Sequence, residues 1–261
     1  MGPSFNEQFD QHGAWRRAFA QQLKQLAEWM SNHDLMDAAV QERLLRLEGQ
    51  VRTDKVMVAF VAEFSRGKSE LINAIFFADY GRRIMPASAG RTTMCPTELG
   101  YDSALPPSLR LLPIETRLQM QGLADWRLKP ERWVEIALDV NNADQIAKAL
   151  EKVSEIRRVS IEDARALGFW HDDLTDENPV PDVDGLVEVP MWRHALINIP
   201  HPLLKQGLVI LDPPGLNAVG AEPELTVNLI PQAHAVVFIL SADTGVTRSD
   251  LSIWREHLAT S

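Results

Sequence analysis

The stretch that decides the fold is residues 56–69, which reads Val-Met-Val-Ala-Phe-Val-Ala-Glu-Phe-Ser-Arg-Gly-Lys-Ser. It opens with a short apolar run rich in β-branched side chains, which predicts a buried parallel strand. Apolar residues at helical spacing follow from Leu71 to Phe76. A helix that starts directly after such a turn points backbone N–H groups and its positive dipole end at an anion. The junction therefore predicts a phosphate-binding loop over residues 62–69.

Two side chains of this loop have the chemistry that a nucleoside triphosphate requires. Lys68 is in position to reach the β- and γ-phosphates, and the hydroxyl of Ser69 is an oxygen ligand of the kind that Mg²⁺ prefers. The usual loop pattern begins with a glycine, whereas this sequence has Ala62 at that place. An ordinary strand, turn and helix without a ligand is the other interpretation of this stretch taken alone.

Two further segments favour the phosphate-binding interpretation. Residues 91–97 read Arg-Thr-Thr-Met-Cys-Pro-Thr and follow the first helix of the α/β region. A threonine there is able to complete a Mg²⁺ shell and to contact a γ-phosphate. Residues 211–215 read Leu-Asp-Pro-Pro-Gly and close an apolar strand predicted at 207–211. An acid at that strand end can hold Mg²⁺ through water, and the glycine N–H is available to the γ-phosphate.

Composition excludes several other classes of protein. The 261 residues include 45% hydrophobic residues and have a net charge of −10, which is ordinary for a globular protein and unlike a general nucleic-acid binder. Cys95 is the only cysteine, so the chain has neither an internal disulfide nor a cysteine-based zinc site, and a reducing compartment is expected. No apolar run approaches the roughly 20 residues of a membrane span.

The sequence divides into an N-terminal helical segment, 1–50, and an α/β region, 51–261, with an insertion at about 103–192. Apolar residues at intervals of three or four predict two helices in the first segment, separated by a break with capping residues at 31–34. A bundle helix is favoured over a membrane-surface helix, because basic residues do not dominate the polar face.

The insertion combines helical patterns with an acidic stretch. A helix is predicted from Asp144 to about Val159, and Ser160-Ile-Glu-Asp163 resembles a capping box that begins another helix. Residues 171–188 contain seven acids and neither lysine nor arginine. A calcium loop is one interpretation of this stretch, but its spacing differs from the EF-hand pattern, so a solvated loop is favoured.

Three motifs together resemble those of a known family. Glu63-Phe-Ser-Arg-Gly-Lys-Ser69, the pair Thr92-Thr93 and Asp212-Pro-Pro-Gly-Leu216 are similar, in order and in flanking sequence, to the first three guanine-nucleotide motifs of bacterial dynamin-like GTPases. The resemblance covers roughly 51–100 and 195–258. It implies an α/β P-loop NTPase fold with a Ras-like doubly wound sheet, GTP hydrolysis, and helical segments beside the GTPase domain.

The resemblance also implies cofactors, partners and a location. GTP and Mg²⁺ are the expected cofactors, and a guanine nucleotide is the expected ligand. Self-association through the GTPase domain is expected, with peripheral membrane contact through regions outside this chain and with no nucleic-acid partner. The implied location is cytoplasmic, with the surface of the inner membrane as the alternative.

Each motif residue takes an expected role from its place in the family pattern. Ser65, Lys68 and Thr93 are the expected catalytic residues, and Ser65 helps to place the attacking water. The expected Mg²⁺ ligands are Ser69, Thr93 and Asp212. The expected nucleotide contacts are Glu63, Phe64, Ser65, Arg66, Gly67, Lys68, Ser69, Glu70, Asp212 and Gly215.

The sequence departs from the family pattern at four points. Ala62 replaces a glycine, Glu70 stands where Ser or Thr is usual, and Pro213 replaces a threonine, and these changes bear on catalytic rate more than on fold. The fourth departure is the missing base-specificity motif, Asn/Thr-Lys-x-Asp. Thr247-Arg-Ser-Asp250 is a near match, but a helix cap is favoured over a base-reading role.

The missing motif predicts that the chain stops inside the GTPase domain, which leaves the apolar strand 235–240 at the edge of the sheet. A GTP-hydrolysing enzyme is the first functional hypothesis. A nucleotide-poised interaction module with little or no hydrolysis is the second hypothesis, and the four departures favour it.

Overall fold

The computed structural model of the protein describes residues 5–33, 35–37, 40–41, 43–44, 47, 55–62, 66–86, 95–119, 121–172, 178–213, 233–243 and 245–255. Contacts between residues divide the chain into two compact units, 1–56 and 57–261. No helix in the described ranges is long and apolar enough to cross a membrane.

The first unit contains a long helix and the beginning of a second. Helix α1 (Phe5–Asn32) ends at the break predicted from the sequence, where the His33 ring Nδ1–H donates to the Trp29 carbonyl over 2.7 Å. The chain becomes helical again after Asp37, whose carboxylate accepts a 2.7 Å hydrogen bond from the Val40 N–H. The break is therefore confirmed, while the cap seen in the described residues is Asp37, which lies beyond the predicted break.

The second unit alternates strands with helices. The strands are β1 (Val56–Ala62), β2 (Thr97–Gly100), β3 (Ser108–Pro113), β4 (Val134–Ala137), β5 (Ile156–Val159), β6 (Val187–Pro190), β7 (Trp192–Asn198), β8 (Leu208–Asp212) and β9 (Ala235–Ile239). The helices are α2 (Lys68–Phe76), α3 (Leu123–Arg127), α4 (Ala143–Glu151), α5 (Ile161–Ala166), α6 (Pro202–Lys205) and α7 (Arg248–Ile253). Short 3₁₀ turns lie at Ala78–Tyr80, Ile114–Leu118, Pro130–Arg132 and Lys152–Ser154.

Among the described residues, seven strands form one mixed sheet in the order β4-β3-β7-β2-β8-β1-β9. The pairs β1–β9 and β2–β7 are parallel, whereas β2–β8, β3–β7 and β3–β4 are antiparallel. Strands β5 and β6 form a separate antiparallel pair. The predicted α/β class is confirmed, and β9 lies at one edge of the described sheet, as the sequence predicts for 235–240.

The region predicted as an insertion contributes strands to the main sheet. Strands β3 and β4 form the edge opposite β9, and β7 lies between β3 and β2. The helix predicted from Asp144 to Val159 is shorter than expected, since α4 is extended only by the 3₁₀ turn to Ser154 and β5 follows. The prediction is wrong at this end because residues 156–159 pair with β6, and a tertiary contact of this kind overrides local helical spacing.

The acidic stretch of the insertion is paired with arginines. Arg158 contacts both Asp182 and Asp184, with 2.7 Å to the second, and Arg165 lies 2.8 Å from Asp172. Within the described ranges, no group of three or more His, Cys, Asp or Glu side chains is arranged to hold a metal ion. The described part of this stretch is therefore a charged surface balanced by neighbouring guanidinium groups. At its start, Ser160 caps α5 as predicted.

The sheet packs on both faces, because successive strand residues point to opposite sides. On one face Ile210 packs in a cluster with Ile72 of α2 and Ile146 of α4. On the other face Leu196 packs with Trp126 of α3. The first cluster packs α2 against the sheet, and this packing fixes the position of the first turn of α2 relative to β8.

Candidate nucleotide-binding site

The turn between β1 and α2 is shaped by an alanine and a glycine. Ala62 is buried and pairs with Ile239 as the last residue of β1, so its backbone is extended. An extended backbone needs no positive φ, and the alanine at this place therefore carries no conformational penalty. Gly67, directly before α2, has a φ of 85°, in the left-handed region that favours glycine. Gly67 thus sets the direction in which α2 begins.

Lys68 is the first residue of α2, and its side chain is 10% exposed. Its ammonium lies 3.0 Å from Oδ1 of Asp212, at the end of β8, and donates a hydrogen bond to the Pro213 carbonyl. Ser69 follows in the first turn of the helix. The structure therefore places Lys68, Ser69 and Asp212 at the adjoining ends of α2 and β8.

In the described part of the chain, the buried carboxylate of Asp212 lacks the hydrogen bonds that such a group needs. The residue is 2% exposed, and among the described residues neither of its oxygens accepts a hydrogen bond. Its contact with Lys68 is an ion pair whose geometry is not that of a hydrogen bond. Burial of an unsatisfied carboxylate is costly, and a bound cation would relieve that cost. Because carboxylate and hydroxyl oxygens are the ligands that Mg²⁺ prefers, Asp212 and Ser69 fit this ion.

Cys95 packs near this carboxylate. Burial raises the pKa of its thiol, and the negative charge of Asp212 raises that pKa further. The neighbouring Thr97 of β2 lies opposite Asp212 in the strand register, and its hydroxyl donates to the Cys95 carbonyl over 3.2 Å. Cys95 is therefore a neutral packing residue, because a buried thiol without a thiolate form is unreactive.

Comparison with known sequences decides the family. A profile of the dynamin family matches residues 58–260, which is most of the chain. The chain belongs to the dynamin family. Membership identifies the matched region, which includes Lys68 and Asp212, as a dynamin-type GTPase domain in general, and the P-loop NTPase fold predicted from the sequence is confirmed.

Two solved structures are similar to this dynamin-family chain. One is an oligomerised bacterial dynamin pair described as providing a mechanism for the long-range sensing and tethering of membranes, with 14% identity and a TM-score of 0.46 over 95% of this chain and 31% of that chain. The other is described in the same words, with 13% identity and a TM-score of 0.44 over 94% of this chain and 36% of that chain. The chain thus spans about a third of the length of these structures. Comparison with curated proteins gave no match.

Glu70, in the first turn of α2 of this dynamin-family chain, has an ion-pair partner. Its carboxylate forms an ion pair with Arg83, which follows the 3₁₀ turn after α2. Both side chains are exposed, and Arg83 locally offsets the negative charge of Glu70. Sequence reasoning missed Arg83, because no periodic spacing relates the two residues and the contact depends on how the chain turns after the helix.

The near match to a base-reading motif is a helix cap in this dynamin-family chain. The Asp250 N–H donates to the Thr247 hydroxyl over 3.2 Å, and the Asp250 carboxylate accepts from the N–H and hydroxyl of Thr247 at 2.8 and 2.9 Å. This capping box begins α7, so the cap predicted from the sequence is confirmed.

The other residues assigned from the sequence fall into two groups. Arg66 and Gly67 lie directly before α2, and Arg66 is half-buried. Five assigned residues lie outside the described ranges, namely Glu63, Phe64, Ser65, Thr93 and Gly215.

Proposed function

We propose that this chain binds GTP together with Mg²⁺ at the junction of β1, α2 and β8 and hydrolyses it. The observation that carries the proposal is the 3.0 Å approach of Lys68 Nζ to Asp212 Oδ1 at the beginning of α2. Both groups are almost fully withdrawn from water, and the carboxylate lacks hydrogen bonds from the described residues. Membership of the dynamin family supports a guanine nucleotide as the ligand.

The described residues would contact different parts of the nucleotide and of its metal ion. Lys68 turns from Asp212 towards the β- and γ-phosphates and neutralises part of their charge. The backbone N–H groups in the first turn of α2 donate to phosphate oxygens. Ser69 and Asp212 hold Mg²⁺, with Asp212 acting through water. When bound, the metal ion supplies positive charge that stabilises the charge developing on the transferred phosphoryl group.

The remaining assignments are part of the proposal on the family resemblance alone. Ser65 helps to place the attacking water, Thr93 completes the metal shell, and the Gly215 N–H contacts the γ-phosphate. Hydrolysis then depends on positioning and charge rather than on a covalent intermediate. The other loop contacts to the nucleotide are Glu63, Phe64, Arg66, Gly67 and Glu70.

One observation favours the second candidate function, a nucleotide-poised interaction module with little or no hydrolysis. The Lys68 ammonium already has two protein partners, the Asp212 carboxylate and the Pro213 carbonyl. A triphosphate must replace these partners, which reduces the net gain from binding. Phosphate release and nucleotide affinity measured on one preparation separate the two functions, since measurable binding without phosphate release identifies the interaction module.

Partners, location and domain limits extend the proposal on the same resemblance. We propose self-association through the GTPase domain and peripheral membrane contact through regions outside this chain, with a cytoplasmic location. The proposed domain limits are 1–50 for the helical segment and 51–261 for the GTPase domain, with 103–192 as its insertion.

Calorimetric titration with a non-hydrolysable GTP analogue tests the binding site. We expect the wild-type chain to bind more tightly with Mg²⁺ than without it. Lys68→Ala is expected to lower the affinity at least about a hundredfold, as the loss of two charge-assisted contacts would. Lys148→Ala replaces an exposed lysine of α4 and is the matched control. This variant is expected to bind the analogue as tightly as the wild type does. Unchanged affinity in a folded Lys68→Ala variant would contradict the proposal.

A further inference from the structure

A cavity of about 440 Å³ lies at the end of α2 that is remote from Lys68. Its apolar lining includes Phe76, the last residue of α2, Ile199, which directly follows β7, and Val140, in the chain between β4 and α4. Phe76 and Ile199 are buried, and Val140 is half-buried. A volume of this size and a largely apolar lining are typical of sites for small molecules.

Polar groups line the same cavity closer to solvent. Asp79, in the 3₁₀ turn after α2, is exposed, whereas Tyr80 and His201 are half-buried. The His201 ring is held in place, because its Nδ1 accepts a 3.3 Å hydrogen bond from the Leu203 N–H and its centroid lies 5.2 Å from that of the Phe76 ring. With Nδ1 as the acceptor, the neutral ring carries its proton on Nε2. The cavity therefore joins a buried apolar part to a polar opening.

The charge in this cavity is negative. Burial raises the pKa of Tyr80, and the charge of Asp79 raises it further, while burial lowers the pKa of His201 against the opposing charge of Asp79. Both rings are therefore uncharged at pH 7.5, and the described lining residues include neither lysine nor arginine. Arg82, nearby in the chain, is paired with Asp144. The end of α2 adds partial negative charge, because its last carbonyl groups point that way.

We propose that this cavity binds a small organic cation, whose apolar group packs against Phe76 and Ile199 and whose ammonium group lies between Asp79 and the ring of Tyr80. An ammonium group is attracted both by a carboxylate and by the face of an aromatic ring. A neutral molecule of the same shape keeps the apolar contacts and loses this attraction. An anion of the same shape is repelled by Asp79.

The proposed cation site is separate from the proposed nucleotide site. The Ile199 N–H donates to the Gly100 carbonyl over 3.1 Å, at one end of β2, whereas Thr97, at the other end, lies opposite Asp212. Along α2, the nine residues from Lys68 to Phe76 span about 12 Å. The cation site uses no residue assigned to the nucleotide, so this inference does not rest on the proposed function.

The test uses three small molecules that share a phenylethyl group: 2-phenylethylamine, 2-phenylethanol and 3-phenylpropionate. Each is titrated at pH 7.5 into the full chain, and the methyl resonances of Val140 and Ile199 are followed by NMR. The amine is expected to shift both with a Kd of about 1 mM, and to bind about fivefold more tightly than the alcohol. The carboxylate is expected to bind most weakly. The methyl resonances of Leu196, on the other face of the sheet, are expected to stay in place.

Two variants identify the charge that selects the amine. Asp79→Asn removes the charge and keeps the shape, and it is expected to fold because the side chain is exposed. The fivefold preference for the amine over the alcohol is expected to disappear in this variant. Glu131→Gln is the matched control, since Glu131 is an exposed acid in another 3₁₀ turn, Pro130–Arg132, and does not line the cavity. This control is expected to keep the preference.

Four results would overturn the inference. They are the absence of shifts at Val140 and Ile199 with the amine, shifts of equal size at Leu196, equal affinity of the wild type for amine and alcohol, and an Asp79→Asn variant that keeps the preference. Should Asp79→Asn fail to fold, the wild-type preference is measured in low and in high salt. A smaller preference in high salt is expected, because salt screens the exposed charge, and an unchanged preference overturns the inference. None of these results bears on the binding of GTP, which the calorimetric titration tests separately.

Discussion

Two buried carboxylates on neighbouring strands have opposite surroundings. Asp212 of β8 lies on the face covered by α2, 3.0 Å from the Lys68 ammonium, and accepts no hydrogen bond from the described residues. Glu98 of β2 lies on the other face, where both of its oxygens contact the guanidinium of Arg127 in α3. Among the described residues, Glu98 has side-chain partners for both oxygens and Asp212 has a hydrogen-bond donor for neither.

The difference distinguishes a structural ion pair from the proposed ligand site. A carboxylate held on both oxygens by a guanidinium has strong, directional partners and attaches α3 to the sheet. A buried carboxylate without such partners can still bind a cation that comes from outside the protein. The strand register places Thr97 opposite Asp212 and Glu98 opposite Leu211, so a step of one residue along β2 moves from one face to the other.

His194, on the Glu98 face, gives the largest expected effect. Its ring is fully buried, and in the described part of the chain neither ring nitrogen has a hydrogen-bond partner. Burial, opposed by the charge of Glu98 and aided by the charges of Arg127 and Arg193, lowers its pKa to about 4. An unfolded histidine titrates near 6.5, so stability is complete above that pH and falls by about 3 kcal/mol as the pH drops to 4.

Denaturant unfolding between pH 7.5 and 4 measures this effect. The His194→Leu variant is expected to lose most of the pH dependence in this window, because the uncharged side chain takes up no proton on unfolding. The exposed His171 offers a matched substitution, and His171→Gln is expected to keep the wild-type profile. An identical loss of stability in the wild type and in His194→Leu would show that the buried ring is not the cause.

The next largest effect on stability is expected for Arg127→Met, which tests the contrast between Glu98 and Asp212. The change leaves the Glu98 side chain, 9% exposed, without its guanidinium partner. We expect a loss of about 2 kcal/mol in unfolding free energy, less than for a fully buried pair because Arg127 is 39% exposed. Adding Glu98→Gln should restore part of the loss, and nucleotide affinity should be unaffected by either change. A loss of affinity in Arg127→Met would mean that the two faces are not separate.

The β1–α2 junction and the strands around it could be predicted from the sequence because their signals are local. The apolar runs at 207–211 and 235–240 correspond within one residue to β8 and β9, since a continuous apolar run is typical of a strand in a largely parallel sheet. Strand β8 is buried, whereas β9, at the edge of the described sheet, is exposed over its first three residues. The cap at Thr247 is also a local contact, between residues three positions apart. Each of these features is determined by neighbours in the chain.

Other features could not be predicted, because distant contacts determine them. Strand β2 reads Thr-Glu-Leu-Gly and β4 reads Val-Glu-Ile-Ala, and stretches so short are extended only because β7, β8 and β3 pair with them. The hydrogen bonds of Asn73 with Ile84 and Met85 and the ion pair of Glu98 with Arg127 likewise join residues with no common periodic pattern. The proposed ligands of the site could be predicted only from the chemistry of the sequence motifs.

The substitution Asp212→Asn tests the central claim most directly, because it removes the charge and keeps the shape. We expect Asp212→Asn to lose less unfolding free energy than Glu98→Gln, since relief of the unsatisfied buried carboxylate offsets part of the loss of the Lys68 ion pair. We also expect that Mg²⁺ no longer strengthens binding of the GTP analogue. The matched variant Glu98→Gln is expected to lose stability and to keep the Mg²⁺ effect. An Asp212→Asn variant that keeps the full Mg²⁺ effect, or that loses as much stability as Glu98→Gln, would contradict the account.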